Sequence, residues 1–338
     1  MNQSKFTVII PSKKIDKNLI NCEFCIRKFY KDLKIFLLVD ENEFHDFHNK
    51  NTQIVPTGKV NVSKKRNIGI QLADSEFYVF IDSDAYPNHP WLDKVEDVFF
   101  KNIKIGACGG PNLSPYSKIE EKKLISAIKK SYLVSQNADF IKYKESNSRF
   151  IDFLPTCNLV VKKSALENVE PMDSNLFAHE DISLNENIKK NGFKIYVENS
   201  SYVFHKDRLI KSFLKQRFIY GTEALNVFLR YPCKASFKLF ISTLPFLAFL
   251  VFLFLSLALY FGFLIPNVWI TILVKLSLFG VISVFTIVLF ESLRIFLSYK
   301  RDFFKIICLL LSSIYLPGLG QLLRPFLKWK IRRKIWVH

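Results

Sequence analysis

Short apolar runs separated by polar, helix-length stretches open the chain, and long uncharged runs close it. Phe6-Thr7-Val8-Ile9-Ile10 is a β-rich run stopped by Pro11-Ser12, and Lys34-Ile35-Phe36-Leu37-Leu38-Val39 is a second, stopped by Asp40-Glu41. Between them, apolar positions from 19 to 30 recur at helical spacing. Strand, helix and strand at this spacing predict a βαβ unit with a parallel sheet. Phe77-Tyr78-Val79-Phe80-Ile81 predicts a third buried strand, ended by Asp82-Ser83-Asp84 and the turn formers Pro87, Asn88 and Pro90. Apolar runs at 103–107, 154–161, 193–197 and 202–206 extend the pattern. A helix is expected to run through Lys190 and to stop at Gly192, a residue suited to the C′ position.

Candidate chemistry sits where these strands end. Ligands on parallel sheets bind outside the carboxyl ends of the strands, and Pro11, Ser12, Asp40, Glu41, Asp82 and Asp84 all fall there. Alternate strand residues share a face, so Asp82 and Asp84 are expected to face the same way at the end of the strand. Two adjacent carboxylates repel unless something positive lies between them, and Mg²⁺ or Mn²⁺ carrying a diphosphate is the usual solution. Taken alone, Asp-x-Asp is more often a strand end followed by a polar turn. Further on, Ser63 is placed to cap a helix whose first turn holds Lys64, Lys65 and Arg66. That is the wrong end of a helix for cations. A bound anion would compensate, and a solvated basic face is the alternative. Gly109-Gly110-Pro111 allows a close backbone approach to a ligand. Glu180 and Asp181 open a helix, where capping alone accounts for acids. His205, as a lone histidine, is more often structural than a ligand.

The apolar excess lies late in the chain. Thirty-six residues, 239–274, carry no charge, and about 20 suffice to span a bilayer core. Helices are expected at about 238–263 and 268–290, turned by Pro266-Asn267, with Lys275 inside the second. A third apolar stretch, 303–323, is interrupted by Pro317-Gly318-Leu319-Gly320 and followed by a tail with Arg324, Lys328, Lys330, Arg332, Arg333 and Lys334. A third full crossing would put this tail outside, against the positive-inside tendency. A re-entrant or interfacial segment is therefore expected, with Trp329 and Trp336 at the interface. The domains are expected at 1–235, cytoplasmic, and 236–338, membrane-bound.

Charge supports that division. Residues 236–338 hold 12 Lys and Arg against 2 acids. The overall +18 invites a nucleic-acid reading, but these cations flank apolar spans, where anionic headgroups account for them. No nucleic-acid partner is expected. No signal-peptide core precedes the first strand, so the first domain is expected to stay in the cytoplasm. Six cysteines are scattered, and Cys22 and Cys25 read as ordinary reduced thiols on a helix.

Together these pieces resemble the family-2 glycosyltransferases, of GT-A fold. The likeness runs from about residue 5 to 225. It rests on Pro11-Ser12, Asp40-Glu41, Lys65-Arg66-Asn67-Ile68-Gly69, Ile81-Asp82-Ser83-Asp84 and Thr156-Cys157-Asn158-Leu159. It continues with His179-Glu180-Asp181, Leu184 and Gly192, then Gln216-Arg217-Phe218 with Tyr220-Gly221. The resemblance implies an α/β GT-A domain, with a mixed, mainly parallel sheet, followed by α-helical transmembrane segments. It implies an inverting, metal-dependent sugar transferase on the cytoplasmic side of the inner membrane. The donor is a nucleotide sugar held by Pro11, Ser12, Asp40, Glu41, Arg66, Asp82 and Gly110. Asp82, Asp84 and His205 hold Mg²⁺ or Mn²⁺, Asp181 is the general base, and Glu180 and Asn158 lie on the acceptor side. The acceptor is expected to be a lipid-linked saccharide in surface polysaccharide or glycolipid synthesis.

Three departures qualify the likeness. Asp40-Glu41 stands where two aspartates are often seen, and Lys13 replaces an aromatic or small polar residue. The processive members carry Gln-x-x-Arg-Trp, whereas here Leu214 holds the Gln position and Phe218 follows Arg217. A processive polysaccharide synthase is thus the second reading. A non-enzymatic membrane protein binding anionic lipid or nucleic acid is the third.

Overall fold

A computed structural model of the chain describes residues 1–135, 148–263 and 267–327. They form two compact units, one of residues 1–116 and 148–207, the other of 117–135 and 208–327. In chain order the first unit holds β1 (Phe6–Pro11), α1 (Lys17–Phe29), β2 (Lys34–Val39), β3 (Thr52–Pro56), α2 (Val62–Leu72), β4 (Phe77–Ile81), β5 (Ala85–Pro87), α3 (Leu92–Lys101), β6 (Ile105–Gly109) and β7 (Asn112–Leu113). α4 (Glu120–Lys129) and α5 (Tyr132–Ser135) belong to the second unit. The chain returns to the first with β8 (Arg149–Ile151), β9 (Asn158–Lys162), α6 (Glu180–Lys190), β10 (Lys194–Val197) and β11 (Val203–His205).

The mixed, mainly parallel sheet that was expected is present. Its eight strands run β3-β2-β1-β4-β9-β6-β10-β8. β9 is antiparallel to both β4 and β6, and β8 to β10, while β1 pairs in parallel with β2 and β4, and β2 with β3. Both faces are covered, so β1 and β4 are buried at every position. Val8, Ile10, Ile35 and Leu37 pack with Leu19, Ile26 and Trp91 on one face. Ile9, Phe36, Leu38 and Phe80 pack with Ile70, Leu184 and Ile188 on the other. A small sheet, β5-β11-β7, lies beside the first.

Local signals hold with small corrections. Asn61, not Ser63, caps α2, its side chain accepting from the Lys64 amide at 2.9 Å. Ser63 is buried instead. Asp16 caps α1, accepting from Asn18 and Leu19. Gly192 takes φ +80°, past the end of α6, as its expected C′ position requires.

The second unit contains α7 (Ile210–Arg230), α8 (Lys234–Ile241), α9 (Leu244–Tyr260), α10 (Val268–Tyr299) and α11 (Phe303–Leu323). Three stretches are long and apolar enough to cross a membrane: Lys234–Tyr260, Val268–Tyr299 and Phe303–Leu323. The first is a pair of abutting helices and the second outruns its expected end by nine residues. Asn267 caps α10 by accepting from the Ile270 amide at 2.9 Å, while Pro266 lies outside the described residues. So do Trp329, Trp336 and the tail beyond residue 327.

The second unit draws on elements before residue 235. α4 and α7 build a core with the late helices: Ile125, Ile128 and Phe213 cluster with Val288, Ile295, Ile306 and Leu310. α11 differs from expectation. It continues unbroken through Pro317. Proline lacks the N–H that would bond the carbonyl four residues back, here that of Ser313. Arg217 of α7 takes that carbonyl through Nε at 3.3 Å and Nη2 at 3.2 Å. Glycines let the two helices meet closely, since a Cβ on Gly221 would strike the backbone of Pro317 and one on Gly320 that of Phe218.

Candidate active site

The carboxyl ends of β1, β2, β4 and β6 lie along one edge of the sheet. β9 runs the other way, so its beginning lies at the same edge. Ile81 pairs with Asn158, so the next residue of β4, Asp82, falls beside the preceding residue of β9, Cys157. In the small sheet, Ala85 pairs with His205. These two registers bring Asp82, Cys157 and His205 together, with one donor atom from each lying within 4.8 Å of the others. Asp84 reaches this group through His205, its Oδ1 lying 3.1 Å from Nε2. Burial works against the charged imidazole, but Cys157 and Asp84 outweigh it and raise its pKa well above the usual value.

Arg66 joins this group to the start of α6. Its side chain is 3% exposed and donates to Asp82 Oδ1 at 2.8 Å and to Glu180 Oε1 at 2.6 Å. Burial opposes its charge, and Asp82, Glu180 and Asp181 more than offset that. Its Nε is buried without a hydrogen-bond partner. Lys65, next along the helix, is paired with Asp40 at 2.5 Å and donates to the carbonyl of Ser12. Two of the misplaced cations of α2, Lys65 and Arg66, are therefore buried and paired within the protein, while Lys64 is exposed. Carboxylates from β2, β4 and α6 neutralise the buried two.

His179 turns the chain into α6 at φ +66°, a left-handed conformation rare for any residue with a side chain. Glu180 and Asp181 follow at once in the first turn. Asp181 is half-buried by its own surface and closely packed. Its carboxyl is pushed up to about 8, by burial first and then by Glu180, with Arg66 pulling the other way.

The remaining expected residues divide clearly. Pro11 closes β1, and the Ser12 amide donates to the Leu38 carbonyl at 2.9 Å. Glu41 is exposed and pairs with Lys59 at 2.8 Å. Two of the expected residues have close partners within the protein. Asn158 is 1% exposed and both ends of its amide are taken, Oδ1 by Trp91 Nε1 and Nδ2 by the Ser201 carbonyl, each at 2.8 Å. It braces the strand end, buried away from any surface that an acceptor would reach. Gly110 does permit a close approach, but what approaches is the chain itself. A Cβ there would strike the carbonyls of Ser201 and Glu198.

Cys157 is the participant that the sequence reading passed over. It stands in an apolar run, and only the β4–β9 register shows that it lies opposite Asp82. Lys65 was visible as a charge but not as a buried partner of Asp40.

No family model matches the chain. Over 180 residues it is 20% identical to the pre-mycofactocin glycosyltransferase of Mycobacterium tuberculosis, in two strains. The chain is similar to a glycosyltransferase. The match takes in 51% of this chain and 36% of the relative, so the chain spans about a third of the length of the curated proteins it matches. Among solved structures, TarS of S. aureus aligns over 66% of this chain and 40% of its own (TM-score 0.46, 14% identity). Its 1–349 fragment aligns over 96% and 93% (TM-score 0.47, 12% identity). GalNAc-T7 with UDP, GalNAc and Mn²⁺ aligns over 66% and 51% (TM-score 0.45, 11% identity).

Proposed function

We propose that the chain is a membrane-anchored, inverting glycosyltransferase, moving a sugar from a nucleotide-sugar donor to an acceptor hydroxyl. The observation that carries this reading is the Asp82–Arg66–Glu180 bridge. It ties the end of β4, beside a set of metal-ligand side chains, to the first turn of α6, where Asp181 is held with a raised pKa. A donor anchor and a candidate base are thus set in one rigid frame.

In this reading Pro11, Ser12 and Asp40 bound the nucleotide pocket at the ends of β1 and β2. Asp82 and His205, with Asp84 behind the imidazole, hold Mg²⁺ or Mn²⁺. That donor set fits a divalent cation, because oxygen and ring nitrogen converge there. When bound, the cation offsets charge on the departing nucleoside diphosphate. Arg66 keeps Asp82 and Glu180 in register. Asp181 takes the proton of the acceptor hydroxyl as its oxygen attacks the anomeric carbon from the side opposite the leaving group. One such displacement inverts the configuration.

The apolar helices support a place at the inner membrane, with the first unit on the cytoplasmic side and a lipid-linked saccharide as acceptor. Anchoring raises the effective concentration of such an acceptor. The test uses the whole chain in detergent. A panel of nucleotide sugars with Mn²⁺ is expected to contain one that raises the melting temperature, because a ligand of the folded state stabilises it. That donor should then label a lipid extract, and a chelator should abolish the labelling. A panel with no shift for any member would overturn the donor assignment, and labelling that persists in chelator the metal assignment.

A further inference from the structure

We propose that Cys157 is a third protein ligand of the cation held by Asp82 and His205, so that Zn²⁺ competes for this centre and is not displaced from it by Mg²⁺. The inference deepens the metal assignment made above and relies on it only for the centre facing the donor.

The geometry is that of a small, mixed donor set. One carboxylate oxygen, one thiol sulfur and one imidazole nitrogen lie within 4.8 Å of one another. Ligands of one zinc ion stand about 3.5 Å apart, given bonds of ~2.0–2.3 Å, so the group needs to draw in by at most about 1.3 Å. Asp84 Oδ1 lies 3.1 Å from Nε2 of His205, and the Cys157 thiol also hydrogen-bonds the ring. A carboxylate behind a histidine is the usual device for fixing the ring and tautomer of a metal ligand. Arg66 takes Oδ1 of Asp82, and the carboxylate has a second oxygen to offer. Cys157 is 5% exposed, while Asp82 and His205 are half-buried. The set is therefore closed behind the sulfur and open towards solvent, as in zinc sites that keep a position for substrate.

The sulfur decides the selectivity. Mg²⁺ demands oxygen ligands in near-octahedral order and parts with water reluctantly. A soft thiolate with an imidazole favours Zn²⁺. The thiol proton passes to solvent as the metal binds. Cys22 is the competing sulfur, its Sγ lying 3.7 Å from the Asp82 carbonyl.

The test uses the full chain in detergent, stripped of metal and titrated with Co²⁺ alone. One Co²⁺ per chain is expected to produce the intense near-ultraviolet band of a thiolate–cobalt bond. One equivalent of Zn²⁺ should bleach it, and a large excess of Mg²⁺ should not. Cys157→Ser is expected to lose the band and to weaken Zn²⁺ binding at least ~10-fold, the scale seen even for loss of an outer partner. A chain carrying Cys22→Ser and Cys25→Ser should keep the band. Absence of the band in the unaltered chain overturns the proposal. So does a band that survives Cys157→Ser and disappears with Cys22→Ser and Cys25→Ser. If Cys157→Ser does not fold, X-ray absorption of Zn²⁺ on the Cys22→Ser, Cys25→Ser chain decides instead. A sulfur at about 2.3 Å is expected, and a shell of nitrogen and oxygen alone overturns the assignment. None of these measurements involves a sugar nucleotide. A chain that binds Zn²⁺ through Cys157 yet responds to no nucleotide sugar would keep this ligand and lose the transferase reading.

Discussion

A guanidinium that is 3% exposed must have its charge balanced nearby, and Arg66 finds two carboxylates on different elements. Removing one partner of a buried charge set is costly, because the others stay desolvated and uncompensated. Arg66→Met is therefore expected to lower stability by roughly 3–5 kcal/mol, read as a shift in the denaturation midpoint. Lysine cannot restore a two-sided bridge, since its ammonium is a single point charge. Asp181 raises a different expectation. Asp181→Asn should lower turnover by roughly 10²–10⁴-fold and leave the affinity for the nucleotide sugar unchanged. A base works only when ionised, and burial has raised this carboxyl to about 8. The limb of kcat/KM assigned to it should thus fall as pH drops below about 8 and level off above. A profile already flat from pH 5 would remove Asp181 from the role. Neither environment could be read along the chain. Lys64-Lys65-Arg66 and Glu180-Asp181 stand more than a hundred residues apart, and only folding makes them neighbours.

At the scale of elements, the meeting of α7 and α11 is built around one missing hydrogen bond. Pro317 leaves the Ser313 carbonyl without its helical donor, and Arg217 supplies two. Hydrogen bonds from charged groups contribute about 1.5–3 kcal/mol. Arg217→Leu should lower the melting temperature of the detergent-solubilised chain, with a loss of that order. An unchanged melting temperature would mean that the carbonyl finds another donor. The sequence shows Pro317 as a helix breaker, and in isolation it is one. Packing reverses the outcome because an arginine from another helix answers the freed carbonyl. The β4–β9 pairing is the matching case in the sheet. Each strand was legible from its apolar run, but their antiparallel register, which sets Cys157 beside Asp82, was not.

For the whole molecule, the division into units decides how the protein can be handled. The sequence places a boundary at 235, where apolar residues begin to dominate. In the structure α4 and α7 share a core with α10 and α11, because both present apolar faces that only the late helices cover. A chain ending at residue 235 would expose Ile125, Ile128 and Phe213. It is expected to aggregate without detergent, as size-exclusion chromatography would show. A monodisperse, soluble 1–235 would contradict this packing.

The sequence by itself determined the kinds of element and the outline of the architecture. Alternation, continuous apolar runs and long uncharged stretches report burial directly, and burial is what strands, helices and membrane-length spans share. It also marked Arg66, as a cation at the wrong end of a helix, and, through the family resemblance, Asp82, Glu180 and Asp181 as residues worth following. Only the tertiary structure decided what they meet. Lys65 and Arg66 of α2 are neutralised by Asp40, Asp82 and Glu180, Asn158 is spent on Trp91 and Ser201, and Cys157 joins Asp82 and His205. Such pairings depend on strand register and on contacts between residues far apart in the chain, and those are fixed by packing in three dimensions rather than by any local pattern.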